Sequence, residues 1–293
     1  MIDISVIILS FNEEIHIKRC IERVRVLTNK IFIVDSYSTD KTVEIALQLG
    51  ATVVQNKWPG NQAAQFNWAL DHLDIDTEWI IRLDADEYLT DDLVSEITKK
   101  IPFMEENVNG VFLTLDLIFL GKKIKYGLEK VSILRIFRKG TARYAQSWMD
   151  ERLVLSEGLT TSFTGSFIDD NLNTIGWWTD KHNNYSIREA ISILDKRLDL
   201  FGNTFDLMLS PTKNKKNFYA KLPMFYRAFG YFVFRYIFKL GFLDGKEGFI
   251  RHFLQGWWYR TLVDAKLLEI QKACGDDKIK IKLYLKTWYG LEI

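Results

Sequence analysis

Two aspartates separated by one alanine, Asp84-Ala85-Asp86, close an apolar run that begins at Trp79-Ile80-Ile81 and contains Arg82. Carboxylates delivered together at the end of a buried strand suit a hard divalent cation, Mg²⁺ or Mn²⁺. Such ions take few protein ligands and complete their shell with diphosphate oxygens and water. Alternation along a strand puts Asp84 and Asp86 on one side, with Asp86 as metal ligand and Asp84 joining directly or through water. Two more apolar runs end in polar groups. Ile4 to Leu9 leads into Ser10-Phe11-Asn12-Glu13-Glu14, where a base and ribose find polar atoms, an aromatic ring and a helix N-terminus. Ile31 to Val34 leads into Asp35-Ser36-Tyr37-Ser38-Thr39-Asp40, where a carboxylate can accept hydrogen bonds from a nucleobase or a sugar hydroxyl. Taken singly, Asn12, Ser38 and Asp40 are equally ordinary helix caps. These turns contain no glycine-rich phosphate loop, which argues against a dinucleotide dehydrogenase or an ATPase. Phosphate charge must then be met by a cation, and a nucleotide diphosphate is the expected substrate.

Strands, turns and helices must alternate to present those residues. Helix-face spacing at Ile17, Cys20, Ile21, Val24 and Leu27 follows the first strand, and a capped helix over Val43 to Leu49 follows the second. Ala51 to Gln55 reads as a third strand, Gly60 to Leu73 as a helix, Trp79 to Leu83 as a fourth strand, and Thr90-Asp91-Asp92 as the cap of a helix through Lys100. The expected class is α/β: a doubly wound, mostly parallel sheet. Strand-like pieces after Pro102 predict a small antiparallel extension, and Trp177 to Phe201 predicts a long helix. The polar, basic stretch Ser210 to Asn217 places a boundary there, giving a catalytic domain over 1–210 and a helical, aromatic-rich lobe over 211–293.

Composition narrows the class. A chain of 293 residues with 47% hydrophobic content holds an ample core, and a net charge of +1 predicts no nucleic-acid partner. Cys20 and Cys274 lack metal-type spacing and fit buried thiols in a reducing cytosol. The first residues do not resemble an export signal, and every long apolar stretch is broken by Lys or Arg, so neither secretion nor a membrane span is expected. The four histidines lack ligand-like partners and receive no catalytic role. Between Lys213 and Arg260 ten Lys and Arg residues oppose only Asp244 and Glu247, interleaved with Phe, Tyr and Trp. A helix from Leu222 to Leu240 would gather Lys221, Arg227, Arg235 and Lys239 into one arc, leaving a broad apolar face suited to a bilayer's headgroup boundary. Residues 213–260 are therefore expected to contact a membrane surface, although the same aromatics would also serve an ordinary buried helix.

Ser5 to Glu14, Ile33 to Thr42 and Leu83 to Glu87, taken in order, resemble the successive motifs of family-2 glycosyltransferases with the GT-A fold, and Gly60 to Asn67 with Ala69 resembles that family's intervening helix. The resemblance implies inverting transfer from a nucleotide-activated sugar, with uridine the commonest base. It implies donor binding by Ser10, Phe11, Asn12, Glu13, Ser38 and Asn67, base contact by Asp35, ribose or metal-bound diphosphate contact by Asp84, and metal binding by Asp86. Trp148-Met149-Asp150-Glu151-Arg152-Leu153 stands where the family carries its acceptor-side acid and is similar to the form in lipopolysaccharide-core and capsule branches. Glu151 is the first choice for the base and Asp150 the second. Tyr236 to Phe249 also resembles the tail of members acting on lipid-linked or lipopolysaccharide acceptors, which implies a peripheral position at the cytoplasmic face of an inner membrane. The competing readings are a sugar-phosphate nucleotidyltransferase, which would need a glycine-rich basic first loop, and a non-catalytic membrane-docking scaffold with a relic nucleotide site.

Overall fold

Parallel pairing puts three polar strand ends side by side. In a computed structural model, which describes residues 2–145, 152–200, 219 and 222–291, β1 (Ile4–Ser10) lies between β2 (Ile31–Asp35) and β4 (Trp79–Asp84), parallel to both. Every residue of β1 is buried, as a central strand covered on two faces requires. β3 (Thr52–Gln55) adds to β2 in parallel. The helices α1 (Ile17–Arg25), α2 (Thr42–Gln48) and α3 (Gln62–His72) follow the first three strands, as the apolar spacing predicts. α1 buries Ile17, Cys20, Ile21 and Val24. α4 (Asp91–Lys100) follows the short β5 (Glu87–Leu89) and is capped by Thr90 Oγ1, which accepts from Leu93 N. Asp91 and Asp92 at its start and Lys99 and Lys100 at its end complement the helix dipole.

The sheet continues through β6 (Val108–Phe119), β8 (Val131–Arg138) and β11 (Leu159–Asp170) in the order β3-β2-β1-β4-β8-β6-β11-β5, with β7 (Lys122–Ile124) hydrogen-bonded to β6. The expected extension is thus present but mixed: β8 is antiparallel to β4 and β6, whereas β11 runs parallel to β6. A separate two-stranded antiparallel sheet pairs β9 (Ala142–Ala145) with β10 (Arg152–Leu155).

Two compact units emerge. One takes in the chain up to Ile124 together with Glu129–Leu172; the other takes in Lys125–Leu128 and the chain from Asn173 onward. This division differs from the composition-based boundary at 210 by the helix α5 (Ile175–Leu198). Its residues Ile187, Ala190, Ile191 and Leu194 share a core with Val263, Leu267 and Ile270 of α8 (Tyr259–Cys274) and with Ile281 and Leu285 of α9 (Lys278–Tyr289). Composition marks a change of polarity along the chain, while the core decides which helices belong together.

The second unit also holds α6 (Tyr226–Val233), a π-helical continuation over Phe234–Phe238, a 3₁₀ turn over Gly241–Asp244, and α7 (Gly245–His252). Here the structure corrects the expected cationic arc. Arg227 and Arg235 are buried, not facing outward. Arg227 Nε donates to both oxygens of Asp264 at 3.0 and 3.1 Å, and Arg235 Nε donates to Gly127 O at 3.0 Å. Partners 37 and 108 residues distant draw these cations inward, and paired guanidinium groups tolerate burial where lone ones do not. Among the described residues, no helix is long and apolar enough to cross a membrane.

Candidate active site

Register fixes the site's geometry. Ser10 of β1 pairs with Asp35 of β2, and Leu9 pairs with Asp84 of β4, so Asp35 and Asp84 flank the carboxyl end of β1 on its two sides. Two strand spacings separate them, roughly 10 Å. An open parallel sheet binds its ligands at this edge.

On the β2 side, Asp35 is fully buried and heavily used. Its Oδ1 accepts from Ser10 Oγ at 3.1 Å and from Ser38 Oγ; its Oδ2 accepts from Ser38 N at 2.8 Å and Gln55 Nε2 at 3.2 Å. The loops after β1 and β2 are then stapled together. Asn12 N donates to Ser38 Oγ at 2.8 Å, Thr39 N donates to Asn12 Oδ1 at 2.8 Å, and Glu13 N donates to Thr42 Oγ1 at 2.7 Å. Asn12 takes a positive φ of 55°, which asparagine tolerates. Ser38 does not cap α2, because its hydroxyl bonds Asp35; Asp40 accepts from Thr42 N instead, at 2.9 Å. Two aromatic rings remain in solvent at this edge: Phe11, 56% exposed, and Tyr37, 55% exposed with φ of 63°. Phe11 was among the expected donor contacts. Tyr37, Gln55, Asn56 and Gln65 were not, although Gln65 is fully buried, donates to Ser36 Oγ at 3.1 Å and accepts from Asn56 Nδ2 at 2.7 Å. The exposed Tyr37 within a loop between apolar segments was a legible signal; the glutamines gave none.

On the β4 side, Arg82 and Asp84 share one face two residues apart. Arg82 Nη1 and Nη2 donate to the two Asp84 oxygens at 2.7 and 2.6 Å, a bidentate clamp in which Arg82 is buried and Asp84 partly exposed. Asp84 N donates to Glu87 Oε2 at 2.8 Å, and Arg135 Nη2 donates to Glu87 Oε1 at 2.5 Å. Burial holds the Glu87 carboxyl well above its usual range and the Asp84 carboxylate adds to this, against the pull of the Arg82 guanidinium. Burial likewise pushes up the Cys20 thiol, helped by Glu87, Asp86 and Asp84, so this thiol is inert.

Asp86 occupies the turn between β4 and β5. Its Oδ2 accepts from Asn171 Nδ2 at 2.9 Å, and its main-chain oxygen accepts from Asp170 N at 3.1 Å. Arg19 Nη1 holds Asp170 Oδ2 at 2.5 Å, and Leu172 N donates to His16 Nε2 at 2.8 Å. The end of β11 therefore braces the aspartate turn from 85 residues away, a contact no local pattern could announce.

Asn67 has a different use from the donor contact expected of it. Its Nδ2 donates to Tyr144 O and its Oδ1 accepts from Tyr144 N, both at 2.9 Å, so the side chain docks β9 on α3 like one more strand. Trp148, Asp150 and Glu151 lie outside the described residues, in the segment that β9 leads into.

The donor set at Asp84 and Asp86 is oxygen only, as Mg²⁺ or Mn²⁺ requires. Among the described residues no group of three or more His, Cys, Asp or Glu side chains is arranged to hold a metal ion. With Asp84 clamped by Arg82, the residues fit a cation carried largely by a diphosphate and anchored at Asp86, not a closed protein cage.

Residues 5–158, just over half of the chain, match the family model described as Glycosyl transferase family 2. An uncharacterised glycosyltransferase of Rickettsia typhi is 39% identical over 94 residues, which is 32% of this chain and 31% of that protein. One from Rickettsia bellii is 42% identical over 94 residues, with the same coverage. The match thus spans about a third of the length of these curated relatives. Among solved structures, glucosyl-3-phosphoglycerate synthase from Mycobacterium tuberculosis, in complex with Mn²⁺, uridine diphosphate and glucosyl-3-phosphoglycerate, aligns at 22% identity over 38% of this chain and 43% of that one, with a TM-score of 0.32.

Proposed function

The chain belongs to glycosyl transferase family 2, and from that premise we propose that it moves a sugar, with inversion, from a nucleotide diphosphate to a hydroxyl of a lipid-linked or lipopolysaccharide-type glycan. The observation that carries this reading is the alignment of Ser10, Asp35 and Asp84 along one edge of three parallel strands, with Asp86 in the next turn. Phe11 and Tyr37 offer ring faces for a base at that edge. Asp35, the expected base contact, also keeps the two loops beneath the base in shape, and Asp84, oriented by Arg82, meets the ribose or the diphosphate. Asp86 would hold Mg²⁺ or Mn²⁺, which supplies positive charge to the departing diphosphate.

In the transfer step the acceptor hydroxyl loses its proton to a carboxylate, its oxygen bonds to the anomeric carbon, and the bond from that carbon to the diphosphate oxygen breaks. Glu151 is the base in this reading, with Asp150 the alternative. Such an acceptor places the enzyme at the cytoplasmic face of an inner membrane. A uridine donor is the starting choice on family frequency.

The two competing readings fare worse on particular residues. A nucleotidyltransferase needs main-chain amides free to cradle phosphate after β1, but Asn12 N and Glu13 N are bonded to Ser38 and Thr42. A relic scaffold has no use for a buried arginine holding Asp84 by both oxygens. A panel of nucleotide sugars, assayed for Mn²⁺-dependent binding and slow donor hydrolysis, tests the proposal; absence of any metal-dependent donor binding overturns it.

A further inference from the structure

The second unit leaves an unusual surface uncovered. Along α6 and its π-helical continuation, Tyr226, Phe229, Phe234, Ile237 and Phe238 are exposed at the spacing of one helix face. Tyr226 is 80% exposed and Phe238 72%. The opposite face of the same helix is already packed: Ala228 and Phe232 are buried, Phe232 stacks on Trp257, and Arg227 is held by Asp264. A helix packed on one face and still apolar on the other leaves that second face for something to cover.

The following turn enlarges the patch. Leu240, Phe242 and Leu243 are exposed, and so is Phe249 of α7. Nine large apolar side chains between 43% and 80% exposed present roughly 900 Å² at about 100 Å² apiece, beyond the few hundred usual on a soluble monomer. The inserted tip Lys125–Leu128 borders this surface, since Lys125 N and Tyr126 N donate to Asp244 Oδ2 at 3.0 and 2.8 Å and Gly127 N donates to Lys239 O at 2.9 Å. Charge decides the occupant. Among the described residues from Leu222 to Phe249 the exposed charged side chains are Lys239 and Lys246, with Glu247 partly exposed and Asp244 buried under the inserted tip; Lys125 at that tip is also exposed. Aromatic and aliphatic groups with three exposed lysines against one partly exposed acid match anionic headgroups over acyl chains. A second copy on a two-fold axis would bring like charges toward one another across a shared patch.

We propose that this face of the second unit, built from Tyr226 to Phe249 with the tip at Lys125 and Tyr126, docks the protein in the plane of an anionic bilayer surface. It deepens the membrane-acceptor reading above by naming the side chains that enter the lipid, and its test contains neither sugar donor nor acceptor, so its failure leaves glycosyl transfer untouched. The full chain is sedimented with phosphatidylcholine vesicles with and without phosphatidylglycerol, at low and high salt, beside Phe238→Ser/Leu243→Ser and Lys239→Glu/Lys246→Glu. The expected result is binding to the anionic vesicles, a loss of at least tenfold in partitioning for the serine pair, and several-fold weaker, less salt-sensitive binding for the glutamate pair. Both pairs change exposed side chains and should keep the parent melting temperature; if one pair fails to fold, the other still decides. A full chain that stays in the supernatant, variants that sediment like the parent, or a dimer undone by the same substitutions without vesicle binding each overturn the proposal.

Discussion

Asp84 and Asp86 look alike in sequence but hold different positions. Asp84 has both oxygens on Arg82, whereas Asp86 sits in a turn with one oxygen on Asn171. Asp86→Ala is expected to lower Mn²⁺-dependent donor turnover at least a hundredfold while costing about 1 kcal/mol of stability for the lost hydrogen bond, read by donor hydrolysis and urea unfolding. Arg82→Gln should behave the opposite way. It takes the bidentate partner from the partly buried Asp84 carboxylate, while Glu87 keeps Arg135, and should destabilise the fold by about 3 kcal/mol, visible in the urea midpoint. Glu151→Gln is expected to spare donor binding and abolish transfer; unchanged transfer would move the base elsewhere.

At the scale of elements, two contacts between distant segments shape the site. Gly165 of β11 lies so close to α4 that a Cβ there would come within 2.5 Å of Leu93 Cα and 2.7 Å of Leu93 N. Main-chain atoms cannot rotate away, so Gly165→Ala should cost about 3 kcal/mol in thermal or urea unfolding. Asn67 docks β9 on α3 through the Tyr144 main chain, and β9 leads directly to the segment with Asp150 and Glu151. Asn67→Leu leaves the two Tyr144 main-chain groups without this partner. It should cost about 1–2 kcal/mol and reduce transfer far more than donor binding, measured by parallel titration and turnover assays.

For the molecule as a whole, acid should loosen the second unit. His252 is fully buried between Gly127 and Gly241, and burial, with the charges of Arg235 and Arg251 against that of Asp244, lowers its pKa to about 4. Unfolded, the imidazole titrates near its ordinary 6.5. Between these values the unfolded chain binds a proton that the folded one refuses, so stability is full above pH 6.5 and falls as pH drops toward 4, by about 3 kcal/mol at most from this group. Melting at pH 7.5 and pH 5 should show the loss in the parent chain and a smaller one in His252→Gln; equal losses would assign the acid sensitivity to other groups.

The sequence by itself determined the parallel half of the sheet, because β1, β2 and β4 are short apolar runs followed by turn residues and helix-face spacing, signals carried within a few residues. It also determined the polar strand ends at Ser10, Asp35 and Asp84, whose neighbourhood follows once the strands pair in register. Only the tertiary structure decided the rest. It gave both oxygens of Asp84 to Arg82, braced Asp86 with Asn171, diverted Asn67 to Tyr144, and drew Arg227 and Arg235 inside. Most of these pairings join residues far apart in the chain, and even the short Arg82–Asp84 step depends on which strand face is buried. Whether a polar side chain meets water, a ligand or another side chain depends on what the folded chain places opposite it, and local periodicity has no access to that.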